Sequence, residues 1–321
     1  MKPKFRNVVF YTPSALLAAI AKFGTSANYF ELRIEDIPPR SRHRAHPRLN
    51  SEILLLLGGE HSVRNTRQIR ELLLEDNRTS WVIEMSLLEV LIESQLEVSE
   101  LKIQGLHFGA DPYLAKFTYR TFLAGISSWR ECLKWRRLIE GSAMSSLLLY
   151  QSRNQIDNIG DLPIEKISYP QIKSIVLKLL SIDHIGEISA VRNLLDEFVV
   201  LGLEEEELNL NSNAWLLQEK LISLDKTKLD IVVKVHPNFQ GDSDLIVGKI
   251  ADLLINAGLG RILVVDKSIP LELLIYARNC LYYIGVPSSA LMAYPVNKYA
   301  LLNVAPSRKI IFSRSYLNAG L

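Results

Sequence analysis

Short apolar runs alternate with stretches of helical periodicity along the first half of the chain. Runs of four or five β-branched and aromatic residues are typical of buried strands, whereas apolar residues three and four positions apart are typical of amphipathic helices. Gly58-Gly59 predicts a tight strand-to-helix turn, with Ser62 or Asn65 as the cap of the next helix. The patterns predict strands near 7–11, 53–57, 80–84 and 104–108, and helices near 14–23, 63–75, 112–126 and 129–137.

The same alternation returns after residue 229 and predicts a second α/β layer. A strand at 230–235 ends at His236-Pro237, and it is followed by a helix at 245–257, a strand at 261–265, a helix opened by Pro270 and a strand at 281–284. The intervening stretch is rich in helix formers. We therefore expect an α/β protein with a Rossmann-like domain over 1–150, a helical connecting region over 151–225 and a second Rossmann-like domain over 226–321.

Composition and charge narrow the class of protein. A chain of 321 residues has the length of two domains, and 37 basic against 35 acidic residues leave a net charge of +2, which does not favour nucleic acid as a partner. Two cysteines are too few for a disulfide framework or a cysteine-rich zinc site. Because no apolar segment reaches the length of a membrane span or a secretory signal, we expect a cytoplasmic protein.

Polar side chains follow three strands of the second layer. Lys234 and His236-Pro237 end one strand, Glu272 follows the next, and Ser288-Ser289 follow the third. Ligands of parallel α/β sheets bind at the carboxyl ends of the strands, where a serine pair at a helix start can receive phosphate and a carboxylate can receive ribose hydroxyls. Each residue alone also has a structural explanation, as a strand-end histidine, a helix-dipole carboxylate or an N-cap. Their order along the chain favours a nucleotide site.

These motifs resemble those of a known enzyme family. Lys234-Val-His-Pro237, Ile269-Pro-Leu-Glu272 and Gly285-Val-Pro-Ser-Ser-Ala-Leu291 are similar to motifs of the bacterial sialyltransferases of the lipooligosaccharide and polysialic acid type. The resemblance implies a GT-B fold, in which two Rossmann-like domains face each other with the active site in the cleft between them and without a metal requirement. It also implies that sialic acid or a related nonulosonic sugar is transferred from CMP to a glycan with inversion. The residues that would bind the donor are His236, Pro237, Glu272, Ser288 and Ser289, with His236 also assisting departure of CMP.

The family's remaining motif places two acidic residues before a glycine late in the first domain. In this chain only Glu140-Gly141 matches, because Ile139 occupies the first acidic position. The resemblance therefore implies Glu140 as the general base that deprotonates the acceptor, with a solvated helix-end charge as the alternative. Loops after the first strands, at Thr12 and Gly58-Gly59, would form the acceptor rim.

The implied partners are CMP-sialic acid or a similar nucleotide sugar as co-substrate, with no separate cofactor, and an oligosaccharide or glycolipid acceptor of the bacterial surface. Homodimer formation stays open. The basic stretches Arg40–Arg48 and Trp129–Arg137 are compatible with peripheral contact to the inner membrane, or with a solvated loop and an ordinary surface helix. Two further functions stay open: a transferase that uses another donor such as CMP-Kdo, and a non-catalytic GT-B-like protein that binds glycans or nucleotides.

Overall fold

The computed structural model of the protein divides into two compact units. Unit 1 comprises residues 1–175 and 306–321, and unit 2 comprises residues 176–305. Within these units the structure describes residues 6–75, 80–92, 103–107, 144–150, 158–159, 162–167, 169–183, 186–193, 197–203, 215, 218–220, 222–223, 229–236, 242–253, 259–285, 290–291 and 296–301.

Unit 1 is built on an eight-stranded sheet in the order β3-β2-β1-β4-β5-β6-β8-β7. All neighbouring strands pair in parallel except β7 and β8, which are antiparallel. The strands are β1 (Arg6–Phe10), β2 (Asn28–Leu32), β3 (His61–Arg64), β4 (Ser80–Glu84), β5 (Ile103–His107), β6 (Met144–Tyr150), β7 (Asn158–Ile159) and β8 (Leu162–Ile167). The helices that begin in this part of the chain are α1 (Pro13–Phe23), α2 (Pro47–Leu57), α3 (Thr66–Glu75), α4 (Met85–Ile92) and α5 (Tyr169–Ser181), with 3₁₀ turns at Ile34–Asp36 and Pro39–Arg44.

Unit 2 is built on a five-stranded, fully parallel sheet in the order β11-β10-β9-β12-β13. Parallel strands that are buried on both faces read as continuous apolar runs, and β9 is buried along its whole length. The strands are β9 (Phe198–Leu203), β10 (Leu229–Val235), β11 (Leu259–Val265), β12 (Cys280–Gly285) and β13 (Tyr299–Leu301), and the helices are α6 (Glu187–Arg192), α7 (Ser243–Leu253) and α8 (Leu271–Ile275), with a 3₁₀ turn at Val296–Lys298.

The strand order reverses once in each sheet. In unit 1 the first strand, β1, lies between β2 and β4, and in unit 2 the first strand, β9, lies between β10 and β12. Such a reversal is the switch point of a doubly wound sheet, where successive connections leave on opposite sides and a crevice opens at the carboxyl ends. The predicted α/β class with two Rossmann-like layers is therefore confirmed.

The predicted strand at 53–57 is wrong, because these residues form the second half of α2. Leucine favours helix more than β-branched residues do, and the helix carries its own start and stop signals. The His46 ring accepts from the Leu49 N–H, and Gly58 ends the helix in the left-handed conformation at φ 76°. Leu55 is 70% exposed, whereas Ile53, Leu54 and Leu57 are buried, which follows helical rather than strand alternation. Gly58 is therefore a helix cap and not a strand-to-helix turn.

The segment that follows contains a strand where the pattern predicted only a helix. β3 occupies the edge of the sheet beside β2, and α3 begins at Thr66 rather than at 63. The predicted cap at Asn65 is confirmed. Its side chain accepts from the Gln68 N–H at 2.8 Å while the Gln68 side chain accepts from the Asn65 N–H at 3.0 Å, which is a reciprocal capping box.

Strands β7, β8 and β9 lie within residues 151–225, for which the sequence predicted a helical connecting region. The domain boundaries at 150 and 225 stay predictions. The predicted helices at 112–126 and 129–137 lie outside the described residues, as does the basic stretch Trp129–Arg137. No helix in the described ranges is both long enough and apolar enough to cross a membrane.

The basic stretch Arg40–Arg48 is not a simple loop. It contains the second 3₁₀ turn and the first residues of α2. The Arg42 guanidinium donates to the backbone carbonyl oxygens of Ile37, at 2.9 Å, and Glu35, at 2.6 Å. These bonds hold the stretch against the segment that follows β2.

Two glycines allow the central strands of unit 2 to meet at the switch point. Gly202 of β9 and Gly285 of β12 are register partners. A Cβ atom on Gly202 would lie 2.7 Å from Cζ of the buried Tyr283, and a Cβ on Gly285 would lie 2.7 Å from the Gly202 Cα. Distances below 3.0 Å are too short for real contacts of Cβ atoms, so both positions require glycine.

We predict that Gly202→Ala lowers the free energy of unfolding of the protein by about 2 kcal/mol, because the added methyl group overpacks the core against the Tyr283 ring. Gly248→Ala is the matched control. Gly248 lies within α7 with nothing within 4 Å of its would-be Cβ, so alanine should stabilise the protein by about 0.5–1 kcal/mol through helix propensity. Urea denaturation measures both changes, and equal stability of the two variants would contradict the steric argument.

Candidate functional site

The carboxyl ends of β10 and β11 in unit 2 are joined by a buried lysine. Lys234 is 7% exposed, and its ammonium group donates to the carbonyl oxygens of Val235 at 2.8 Å and Lys267 at 2.7 Å. Burial lowers the pKa of Lys234 to about 8, although the negative charges of Asp266 and Glu272 partly oppose the shift. Lys234 therefore places a buried positive charge at the carboxyl ends of β10 and β11.

Glu272 lies close to this charge. It is 4% exposed in the first turn of α8, two residues after the N-cap residue Pro270. The Glu272 charge acts on both Lys234 and Tyr276. Burial is the larger cause that raises the pKa of Tyr276, and the charge of Glu272 raises it further. The Tyr276 hydroxyl donates to the Ala290 carbonyl oxygen at 3.1 Å, which ties the end of α8 to the segment that follows β12. The segments after β10, β11 and β12 thus converge at one edge.

His236 occupies the position immediately after β10. Its backbone N–H donates to the Leu203 carbonyl oxygen at 2.7 Å, which extends the ladder between β10 and β9 by one residue. The residue is half-buried and lies beside the end of β9, next to the switch point of the sheet. Among the predicted site residues the structure therefore describes His236 and Glu272 at the same edge. Glu140, Pro237, Ser288 and Ser289 lie outside the described residues, and their roles stay predictions.

Unit 1 contains a buried carboxylate that the sequence analysis missed. Glu84 ends β4 with 1% of its surface exposed. Its Oε2 accepts from the backbone N–H groups of Tyr11, at 2.9 Å, and Thr12, at 3.2 Å, and its Oε1 accepts from the Thr12 hydroxyl at 3.0 Å. Thr12 in turn caps α1 by accepting from the Ala15 N–H. Thr12 is therefore a buried cap, 3% exposed, rather than an open rim residue.

The environment of Glu84 favours the neutral acid. Burial raises its pKa to about 7, against the opposing effects of the Tyr11 and Thr12 hydrogen bonds and of the Arg44 charge. Tyr11 shares this environment, since burial and the charge of Glu84 raise its pKa to about 12. The Ser86 hydroxyl donates to the Tyr11 hydroxyl at 3.1 Å. A titratable group thus lies at the switch point between β1 and β4, where ligands of such sheets bind.

A second buried carboxylate lies one strand away. Glu31 of β2 accepts from the Asn50 amide at 2.7 Å, and its other oxygen lies 2.7 Å from His61 Nε2. The same Asn50 amide donates to the Tyr11 carbonyl oxygen at 3.1 Å. The peptide groups of Tyr11 therefore connect Glu31 and Glu84 in one polar network. Each acid lies in an otherwise apolar stretch near the carboxyl end of its strand, Tyr29-Phe30-Glu31-Leu32 or Trp81-Val82-Ile83-Glu84. This anomaly is the sequence signal that could have found them.

Among the described residues, no group of three or more histidine, cysteine, aspartate or glutamate side chains is arranged to hold a metal ion.

Two solved structures have a similar fold. One is of a Listeria monocytogenes protein assigned as a UDP-N-acetylglucosamine 2-epimerase, with a TM-score of 0.50 and 12% identity over 91% of this chain and 76% of that chain. The chain has a GT-B-like fold of two Rossmann-like units. The other is the complex of S. aureus MnaA with UDP, with a TM-score of 0.45 and 9% identity over 96% of this chain and 81% of that chain. No protein-family model and no curated protein matches the chain.

The identification with the bacterial sialyltransferases is therefore wrong. The similar Listeria structure is of a protein assigned as a UDP-N-acetylglucosamine 2-epimerase, which is not a sialyltransferase. The correction extends to the transferase activity, to CMP-sialic acid as the donor and to the glycan or glycolipid acceptor. CMP-Kdo transfer and a non-catalytic role gain no support either. The motifs misled because a strand-end histidine, a first-turn glutamate and a capping serine pair suit many nucleotide sites of Rossmann-like sheets.

We predict a pH dependence of stability that comes from Glu84. Its pKa of about 7 in the folded protein exceeds the ordinary value of 4.5, so between these values the folded state holds a proton that the unfolded state has lost. Stability should therefore fall as the pH rises from about 5 to about 7, by up to about 3 kcal/mol from this group.

Glu84→Gln removes the titration and keeps the shape of the side chain. The difference in the free energy of unfolding between wild type and variant, measured by urea denaturation at several pH values, isolates this contribution from other carboxyl groups. A difference that does not change between pH 5 and pH 7 would show that Glu84 ionises normally.

Proposed function

We propose that this protein is an enzyme that acts on a UDP-sugar and that unit 2 binds the nucleotide. The observation that carries the proposal is the convergence of Lys234, His236 and Glu272 at the carboxyl edge of the second sheet, beside its switch point. In doubly wound sheets this position binds nucleotides. The GT-B-like fold and the assignment of the Listeria protein support UDP as the nucleotide.

The charges at this edge suit the parts of a nucleotide diphosphate. Lys234 supplies a buried positive charge, and its ammonium group is held by two carbonyl oxygens. Glu272 supplies an acceptor for ribose hydroxyls. His236, which is only half-buried, can contact phosphate or move a proton near neutral pH. Glu272 therefore suits the ribose, Lys234 suits the negative charge of the phosphates, and His236 suits phosphate contact or proton transfer.

The reaction that we propose is inversion at C2 of UDP-N-acetylglucosamine, which is the reaction in the name of the Listeria protein. Removal of the C2 proton by a base leaves an electron pair that forms a C1–C2 double bond as UDP leaves C1. Return of UDP to C1, with a proton delivered to the other face of C2 by an acid, gives the epimer. The reaction therefore requires one group that removes a proton and one group that returns a proton. His236 is the candidate for one of these groups in unit 2.

We expect UDP and UDP-N-acetylglucosamine to raise the melting temperature of the protein, and CMP to raise it less at equal concentration. Glu272→Gln should weaken UDP binding by about tenfold, because a hydrogen bond to a charged acceptor is lost. Asp252→Asn is the control, since Asp252 is an exposed acid of the same unit on α7. Differential scanning fluorimetry over a nucleotide titration measures both effects. A larger shift with CMP than with UDP would contradict the proposed nucleotide.

The reaction is tested separately from binding. In D₂O, proton NMR of UDP-N-acetylglucosamine incubated with the protein should show loss of the C2 proton signal and appearance of the C2 epimer. His236→Asn should abolish this exchange while UDP still raises the melting temperature. Binding of UDP without exchange in the wild-type protein would rule out epimerisation and leave the nucleotide site intact.

A further inference from the structure

Unit 1 contains an open cleft of about 840 Å³ that the proposed function does not use. It lies beside the carboxyl ends of β2 and β3 and beside the first turns of α3. Its walls combine apolar side chains with three arginines and three acids. The lining residues that matter for binding are Leu32, Arg33, Pro47, Val63, Arg70 and Val90.

Of the three arginines of this cleft, Arg67 pairs with Glu71 at 2.8 Å, whereas Arg33 and Arg70 have no ion pair within the described part of the chain. The Nε of Arg70 is buried and has no hydrogen-bond acceptor, and its Nη2 makes only a 3.5 Å bond to the Val90 carbonyl oxygen. Neither Arg70 nor the exposed Arg33 forms an ion pair with a described residue. A buried donor without an acceptor is unfavourable, because it loses water without gaining a partner.

Two of the three acids of the cleft already accept hydrogen bonds from other residues. Both oxygens of Glu31 are taken, one by Asn50 and one by His61, and Asp36 accepts from the Thr66 N–H at 2.8 Å. Glu35 is exposed to solvent at the rim. Within the described part of the chain, the cleft therefore presents the guanidinium groups of Arg33 and Arg70 without an ion pair, beside Glu31 and Asp36, which already accept hydrogen bonds.

We propose that this cleft binds a small anion, a carboxylate or phosphate group attached to a ring or an aliphatic portion. A guanidinium group offers N–H donors in a planar fork that matches the oxygens of such groups, and Arg70 lines the cleft. Leu32, Pro47, Val63 and Val90 provide the apolar contact for the attached portion. The volume is in the range of small-molecule sites.

The test is isothermal titration of the full chain with glucose 6-phosphate, glucuronate, inorganic phosphate and glucose in a buffer without phosphate. We expect both sugar acids to bind and the neutral glucose not to bind. Arg70→Gln should weaken anion binding by about tenfold or more, and Arg70→Lys by less, because lysine keeps the charge but loses the fork. Arg48→Gln removes an equal charge from an exposed site on α2 outside the cleft and should leave binding unchanged.

Equal binding of glucose and the sugar acids, unchanged affinity in Arg70→Gln, or absence of anion binding to the wild-type chain would overturn the proposal. If inorganic phosphate binds as tightly as glucose 6-phosphate, the free anion is the occupant and the proposal stands in that form. Should Arg70→Gln fail to fold, Arg33→Gln at the exposed rim decides the question, with an expected loss of a few fold in affinity.

Discussion

The carboxyl group of Glu84 holds together the point at which the first sheet reverses its strand order. At such a point the connections leave on opposite faces, so the ends of β1 and β4 have no shared loop to fix their distance. Glu84 spans this gap with bonds to two backbone N–H groups and one hydroxyl of the β1–α1 turn. The start of α1, the position of Tyr11 and the link through Asn50 to Glu31 all follow from this contact.

In unit 2, different contacts hold the strands together at the point where the strand order reverses. At its reversal the strands β9 and β12 meet through Gly202 and Gly285, and the ring of Tyr283 fills the place of the missing side chain. The polar groups lie one strand further out, where Lys234 ties β10 to the turn after β11. Unit 1 thus has a carboxylate at the point where its strand order reverses. Unit 2 has a contact between two glycines at that point, with a lysine on the neighbouring strand.

The sequence predicts the class of fold well and the site only in part. Strands such as 80–84 and 230–235 are apolar runs bounded by breakers, so their positions could be read directly. The run at 53–57 could not be read in this way, because consecutive leucines fit both the helical and the strand periodicity. Only the helix caps on either side distinguish the two. Lys234 and Glu272 were found because Lys234 lies at the carboxyl end of one strand and Glu272 follows another. Glu31 and Glu84 were missed because their partners, Asn50 and Tyr11, are brought near by sheet pairing between distant segments. Family identity failed for a further reason: short motifs at strand ends describe the architecture rather than the ligand.

The enclosure of the Lys234 ammonium group has a consequence for ionic strength. Mobile ions screen charges that are exposed to solvent, with a screening length of about 8 Å at physiological salt, but they do not enter a packed interior. Lys234 is 7% exposed and is held by two carbonyl oxygens. Its attraction for an anion above the sheet edge therefore persists in concentrated salt, whereas the attraction of surface lysines and arginines fades.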